Sequence, residues 1–229
     1  ASLARLQRTE GNRCLTFFPS KRVNIMRHAT RSLPAGYVER DRFTLKSRST
    51  LLMLNLAGLG LVLASTWFFI AVASLLRPEA EGQVFVFRFE GLQSLLTFLL
   101  LMLTLVLTLI LHEAVHGLGF WLLAGVKPHF AFRGIYAYAA APGWYIPTEI
   151  YLWIGIAPLL ILSLLAVSLI AVLPLSTLTY VILAAVMNFS GAVGDIWVAV
   201  QLLRAPQGSL AFDRGDDITL YVPAHSSAD

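Results

Sequence analysis

The chain carries a single cysteine, Cys14, so no disulfide can form within it and no cysteine cluster can hold a metal. Charge is scarce too: 13% of the 229 residues are Asp, Glu, Lys or Arg, against 57% hydrophobic residues. A soluble domain is nearer a quarter charged and half apolar. So little polar surface cannot cover a water-soluble shape of this size, and lipid must be part of the solvent. Residues 1–25 lack the apolar core of a secretory signal peptide and are polar and Arg-rich instead. They read as a disordered tail, or as sequence upstream of a start at Met26, and take no part in the fold argument.

The net charge of +4 raises the question of nucleic acid, but its distribution answers it. Eleven of the seventeen Lys and Arg lie in residues 1–49, ahead of the first apolar run, where topology rules and anionic headgroups would put them. No basic surface interleaved with aromatics follows, so nucleic acid is not expected as a partner.

Four apolar runs are long enough to cross a hydrocarbon core of about 30 Å, at about 50–76, 92–124, 149–173 and 177–203. Backbone groups cannot stay unpaired in lipid, so each should be a helix; Pro158 should kink the third. With the N-terminus inside, fifteen of the seventeen basic residues are cytoplasmic and only Arg77 and Arg88 are outside. The expected orientation is N-in and C-in, in the manner of a multi-pass protein of a bacterial cytoplasmic membrane.

Between the second and third runs, aromatics alternate at Phe130, Phe132, Tyr136 and Tyr138, a strand period. Ala141-Pro142-Gly143 signals a turn, and Trp144-Tyr145-Ile146 a returning strand. An interfacial aromatic belt is the competing reading, and a hairpin at that depth satisfies both. The fold class expected is therefore an all-α integral membrane protein of four transmembrane helices, with a small cytoplasmic or interfacial β-hairpin between helices 2 and 3. Its parts are a basic tail, 1–32, a membrane domain, 33–203, and a short cytoplasmic tail, 204–229. In that tail Thr219-Leu220-Tyr221-Val222 reads either as a strand against the hairpin or as nothing regular.

The second run contains His112-Glu113-Ala114-Val115-His116. On a helix the two histidines sit one turn apart on one face, which lets two imidazoles meet one zinc ion. Glu113 stands beside it, placed to take a proton from water. Ionisable groups at membrane depth are costly and usually mark function, so a purely structural role is the lesser reading. Zinc needs a third protein ligand. Asp195 is the one other acid expected well inside the membrane, in the run Met187–Asp195. His116 lies about eight residues before its helix exits and Asp195 about nine, so both sit about 12–14 Å from the cytoplasmic ends.

Thr104 and Thr108 continue the histidine stripe, and their expected role is bonding to their own backbone. Asn188 reads equally as support for the metal site, as a substrate contact or as interhelical glue. Gly191 and Gly194 read as close-approach positions. His129 and Arg133 fall near the cytoplasmic mouth and are left out of the site.

These residues resemble the site-2 protease type of intramembrane metallopeptidase in motif layout, and more closely the small four-span bacterial proteins grouped as "putative zincin peptidases". Leu33-Pro34-Ala35-Gly36-Tyr37, Lys127-Pro128-His129-Phe130, Ala157-Pro158, the run Asn188–Asp195 and Gly215-Asp216-Asp217 carry that resemblance over roughly residues 33–222. It implies His112, His116 and Asp195 as zinc ligands and Glu113 as the catalytic base. The chain departs from the site-2 pattern in having Ile196 after Asp195 and no proline between Asn188 and Asp195. The function expected is zinc-dependent hydrolysis of peptide bonds in a membrane protein or peptide substrate, within or near the bilayer. The rival is a non-catalytic zinc-binding membrane protein: a sensor, a structural site or a transporter. A transporter would need ionisable groups through both leaflets, and a structural site has no use for Glu113.

Overall fold

The structure is a computed structural model that describes residues 28–44, 47–82, 84–85, 90–132, 137–214 and 217–224. Of the features read from sequence, residues 1–27, Arg88, Arg133, Tyr136 and Gly215-Asp216 lie outside the described residues.

The apolar runs are helices, and most of the chain is helical: α1 (Arg48–Leu76), α2 (Gly91–Leu123) and α3 (Thr148–Val172). Each is long and apolar enough to cross a membrane. Ser47 caps α1, its side chain accepting the N–H of Thr50 at 3.3 Å. The fourth run is broken. It forms α4 (Leu178–Gly191) and α5 (Val193–Leu203), bent by 41° at Ala192, so the described helices give three candidate spans, or four if the bent pair counts as one. The continuous helix expected over 177–203 is corrected accordingly. Large apolar side chains stand exposed along α2, among them Leu95, Leu99, Met102, Val106 and Ile110.

The all-α expectation needs a larger correction. The chain makes a four-stranded antiparallel sheet in the order β1-β6-β5-β4, from β1 (Tyr37–Thr44), β4 (Tyr145–Pro147), β5 (Leu210–Asp213) and β6 (Asp217–Pro223). A separate hairpin pairs β2 (His129–Phe132) with β3 (Ala137–Ala140). The hairpin between the second and third helices is therefore present, but its returning strand is 137–140. Trp144-Tyr145-Ile146 was expected in that role, but the strand there, Tyr145–Pro147, pairs with β5 instead. The Ala141-Pro142-Gly143 turn is real, with Gly143 at φ 80° and the Trp144 N–H on the Ala141 carbonyl at 3.3 Å. It passes the chain from one sheet to the other. The segment read as a short tail supplies two strands, and Thr219–Val222 lies between β1 and β5 rather than against the hairpin.

The sheet joins the segment before α1, the loop between α2 and α3, and the segment after α5. Those three parts of the chain consequently lie at one end of the helices. Two buried clusters follow the same division. Phe69, Ile170, Leu178 and Ile182 pack at the far end, whereas Phe120, Ile146, Tyr151, Ile154, Leu202 and Ile218 join helices to sheet. At the far end Arg77 donates to the carbonyls of Ile170, Ala171 and Leu173 at 3.5, 3.4 and 2.9 Å, a cation on the C-terminus of α3. Its Nε also meets Glu79 at 2.6 Å and holds that carboxyl below the usual range.

Candidate metal centre

Helical spacing brings the rings of His112 and His116 to 4.9 Å between centroids, one turn apart on α2 and both buried. Asp195, in the first turn of α5, reaches them from across the bundle. Its Oδ2 lies 3.1 Å from His112 Nε2 and its Oδ1 lies 3.5 Å from His116 Nε2. One ligand atom from each of the three residues falls within 4.8 Å of the others, a group able to hold a metal ion. A tetrahedral zinc with bonds of about 2.0–2.1 Å needs neighbouring ligand atoms about 3.3–3.4 Å apart. Each Nε2 lies near that distance from one oxygen of Asp195, Oδ2 for His112 and Oδ1 for His116, and two imidazoles with one carboxylate are an ordinary zinc donor set.

The other ring nitrogens decide which atom faces the ion. His116 Nδ1 is 3.0 Å from the backbone carbonyl of Ile154, which can only accept, so Nδ1 carries a proton and Nε2 is the nitrogen turned to Asp195. His112 Nδ1 is 2.9 Å from Asn188 Oδ1. The Asn188 amide is oriented in turn, because its Nδ2 donates to the Pro158 carbonyl at 3.3 Å. Both imidazoles therefore have Nδ1 occupied as a donor and turn Nε2 toward Asp195, the orientation in which Nε2 can ligate a metal. Asn188 thus supports His112 and ties α4 to α3 at once.

Glu113 stands on the same turn but does not join the ligand group. Its Oε2 accepts the backbone N–H of Ala139, in β3, at 2.7 Å. The hairpin thereby touches the site directly. It is seated by Phe130, whose ring lies so close to Gly117 that any β-carbon there would collide with it. Sequence reasoning had no signal for this contact, which depends on a glycine one residue past His116 and on a strand 26 residues from Glu113.

A cavity of about 370 Å³ opens beside these groups. It runs from Glu113 back along α2 past Leu109 and Leu105, and across to Met187, Gly191 and Gly194. A β-carbon at Gly191 or Gly194 would meet nothing within 4 Å. These glycines border open space and are not close-approach positions. Thr104 and Thr108 bond the carbonyls of Leu100 and Thr104 at 2.8 and 2.7 Å, as expected from sequence.

The floor of the cavity is sheet. Asp213 of β5 and Ile218 of β6 line it with Tyr151, whose hydroxyl donates to Asp213 Oδ2 at 2.9 Å. Both of these polar residues are buried. Neither was singled out from sequence, because a tail strand gives no sign that it returns beneath a helix of the membrane domain. His129, left out of the site from sequence, begins β2 opposite Ala140.

Residues 105–210 match the model of the family described as "Putative zincin peptidase". That span includes His112, Glu113, His116, Asn188 and Asp195 and ends at the first strand of the floor. No curated protein and no solved structure matches the chain.

Proposed function

We propose, from the match of residues 105–210 to that family model, that the chain is a zinc-dependent endopeptidase acting within or beside a membrane. The observation carrying the reading is that Asp195 spans both Nε2 atoms while each Nδ1 is committed elsewhere. His112, His116 and Asp195 would hold the zinc. When bound, zinc supplies Lewis acidity, polarising the scissile carbonyl and making water acidic enough to react near neutral pH.

Glu113 takes one proton from the attacking water as its oxygen bonds the carbonyl carbon, and gives that proton to the leaving nitrogen as the C–N bond breaks. The Ala139 N–H holds Glu113 by one oxygen during this exchange. Asp195 cannot serve as that base, since both of its oxygens face the imidazoles.

Substrate would be an extended segment of a membrane protein or peptide, because a helical backbone hides its carbonyls. The cavity reaches up the helices between α2 and α4, which supports approach from the apolar layer. In this reading α1, α2, α3 and the bent α4–α5 pair all cross the bilayer. The sheet end then faces the cytoplasm with N-terminus and C-terminus inside. Exposed Trp121 and Trp153 stand near that end, as interfacial tryptophans do.

The deciding experiment is Glu113→Gln in the purified chain, with zinc content and cleavage of a labelled membrane peptide measured together. Cleavage should fall by about 10²–10⁴-fold with zinc unchanged. Undiminished cleavage removes Glu113 from the chemistry. Bound zinc with no cleavage by either protein would favour a non-catalytic zinc protein.

A further inference from the structure

The Ile154 carbonyl is an unusual acceptor for a side chain. Within an α-helix each carbonyl bonds the N–H four residues on, and Ile154 lies inside α3. Four residues on is Pro158, which has no N–H to give. The helix thus leaves this buried carbonyl unpaired, which would cost free energy if nothing else took it. What takes it is the Nδ1–H of His116, at 3.0 Å. Pro158 acts at a second point as well. Its own carbonyl accepts from Asn188, and Asn188 holds His112. One proline reaches both imidazoles by separate routes.

We propose that Pro158 is a positioning residue of the metal centre. By withholding an N–H it frees the Ile154 carbonyl to fix the tautomer and tilt of His116. Its own carbonyl also orients Asn188 against His112. The inference rests on reading His112, His116 and Asp195 as zinc ligands. The competing account makes Pro158 only a fully buried core residue, and the two separate cleanly. With Ala at 158 the helical bond re-forms, the Ile154 carbonyl tips back toward the α3 axis, and His116 loses its support. Losing such an outer partner typically weakens metal binding about 10–100-fold.

The experiment uses the full chain in detergent, zinc titrated against a chromophoric chelator, and cobalt(II) as a spectroscopic probe. Wild type should bind one zinc; if it binds none, the ligand reading itself fails. Pro158→Ala should bind zinc about 10–100-fold more weakly and shift the cobalt(II) absorption bands. Placing lactic acid at 158 forms an ester that, like proline, has no N–H, and should restore both readouts. Wild-type affinity in Pro158→Ala overturns the proposal, as does a lactic acid variant no better than Ala. Should Pro158→Ala fail to fold, glycolic acid at 155 makes the Ile154 carbonyl a weaker ester acceptor and leaves Pro158 in place. The same loss of affinity is then expected, and unchanged affinity overturns the proposal.

Discussion

At the end of the helices away from the sheet, Phe69, Ala73, Ile170, Leu178 and Ile182 pack around apolar surface alone. The buried polar groups there are slight: Ser65 bonds its own helix at 2.6 Å, and Thr179 accepts the Phe85 N–H at 3.1 Å. At the sheet end His112, His116, Asn188 and Asp213 are buried, and each has a partner on another element. The first region needs only shapes that fit, so many apolar residues would serve. The second depends on direction, because each polar group is satisfied only if a particular atom elsewhere points at it. Substitutions should therefore cost stability at one end and ligand affinity at the other.

The largest effect should come from the directed end. His116→Ala removes a ligand, and zinc affinity measured by chelator competition should fall by more than about 100-fold, beyond what losing a supporting group costs. Far-UV circular dichroism should change little. Next comes the packed end. Phe69→Ala leaves a cavity, for which large-to-small changes cost about 3–5 kcal/mol in water-soluble cores. Without a water-transfer term in lipid the cost should be nearer about 2 kcal/mol by denaturant unfolding in detergent. Zinc affinity of the folded fraction should be unchanged; a parallel loss would mean the two ends are not separable.

Asn188→Ala sharpens the comparison, since this residue both supports a ligand and joins α3 to α4. Zinc affinity should drop about 10-fold or somewhat more. Asn188→Asp should recover part of the loss, because an acceptor for His112 Nδ1 remains. The smallest effect expected is at Arg77. Arg77→Ala frees the last carbonyls of α3 and should cost about 1 kcal/mol of stability. It should leave both cleavage and zinc content as they were.

The same division explains what could be read without coordinates. The four apolar runs were legible because a helix of the right length to cross lipid is written as composition, residue after residue. His112 and His116 were legible because their pairing is local, one helical turn. Asp195 was reached by elimination, with so few acids available. What stayed hidden was non-local. β1 (YVERDRFT) is almost wholly exposed and shows no alternation, and its partner lies at the other end of the chain. Trp144-Tyr145-Ile146 was assigned to the nearest strand pattern, whereas the strand formed there, Tyr145–Pro147, has β5 as its partner. The break at Ala192 has no proline to announce it. The groups that steer the imidazoles include a backbone carbonyl, which sequence names nowhere.

The pairing of β1 with β6 also has a meaning for how the molecule is made. Tyr37 lies opposite Pro223, and the Ala224 N–H reaches the Gly36 carbonyl at 2.8 Å. A ribosome therefore delivers the earliest strand long before the one that clasps it, and closing so large a loop is slow work for a chain. Asp195 likewise emerges 83 residues after His112. Until those closing segments are threaded home, the nascent protein holds two imidazoles without the carboxylate that faces them in the folded chain.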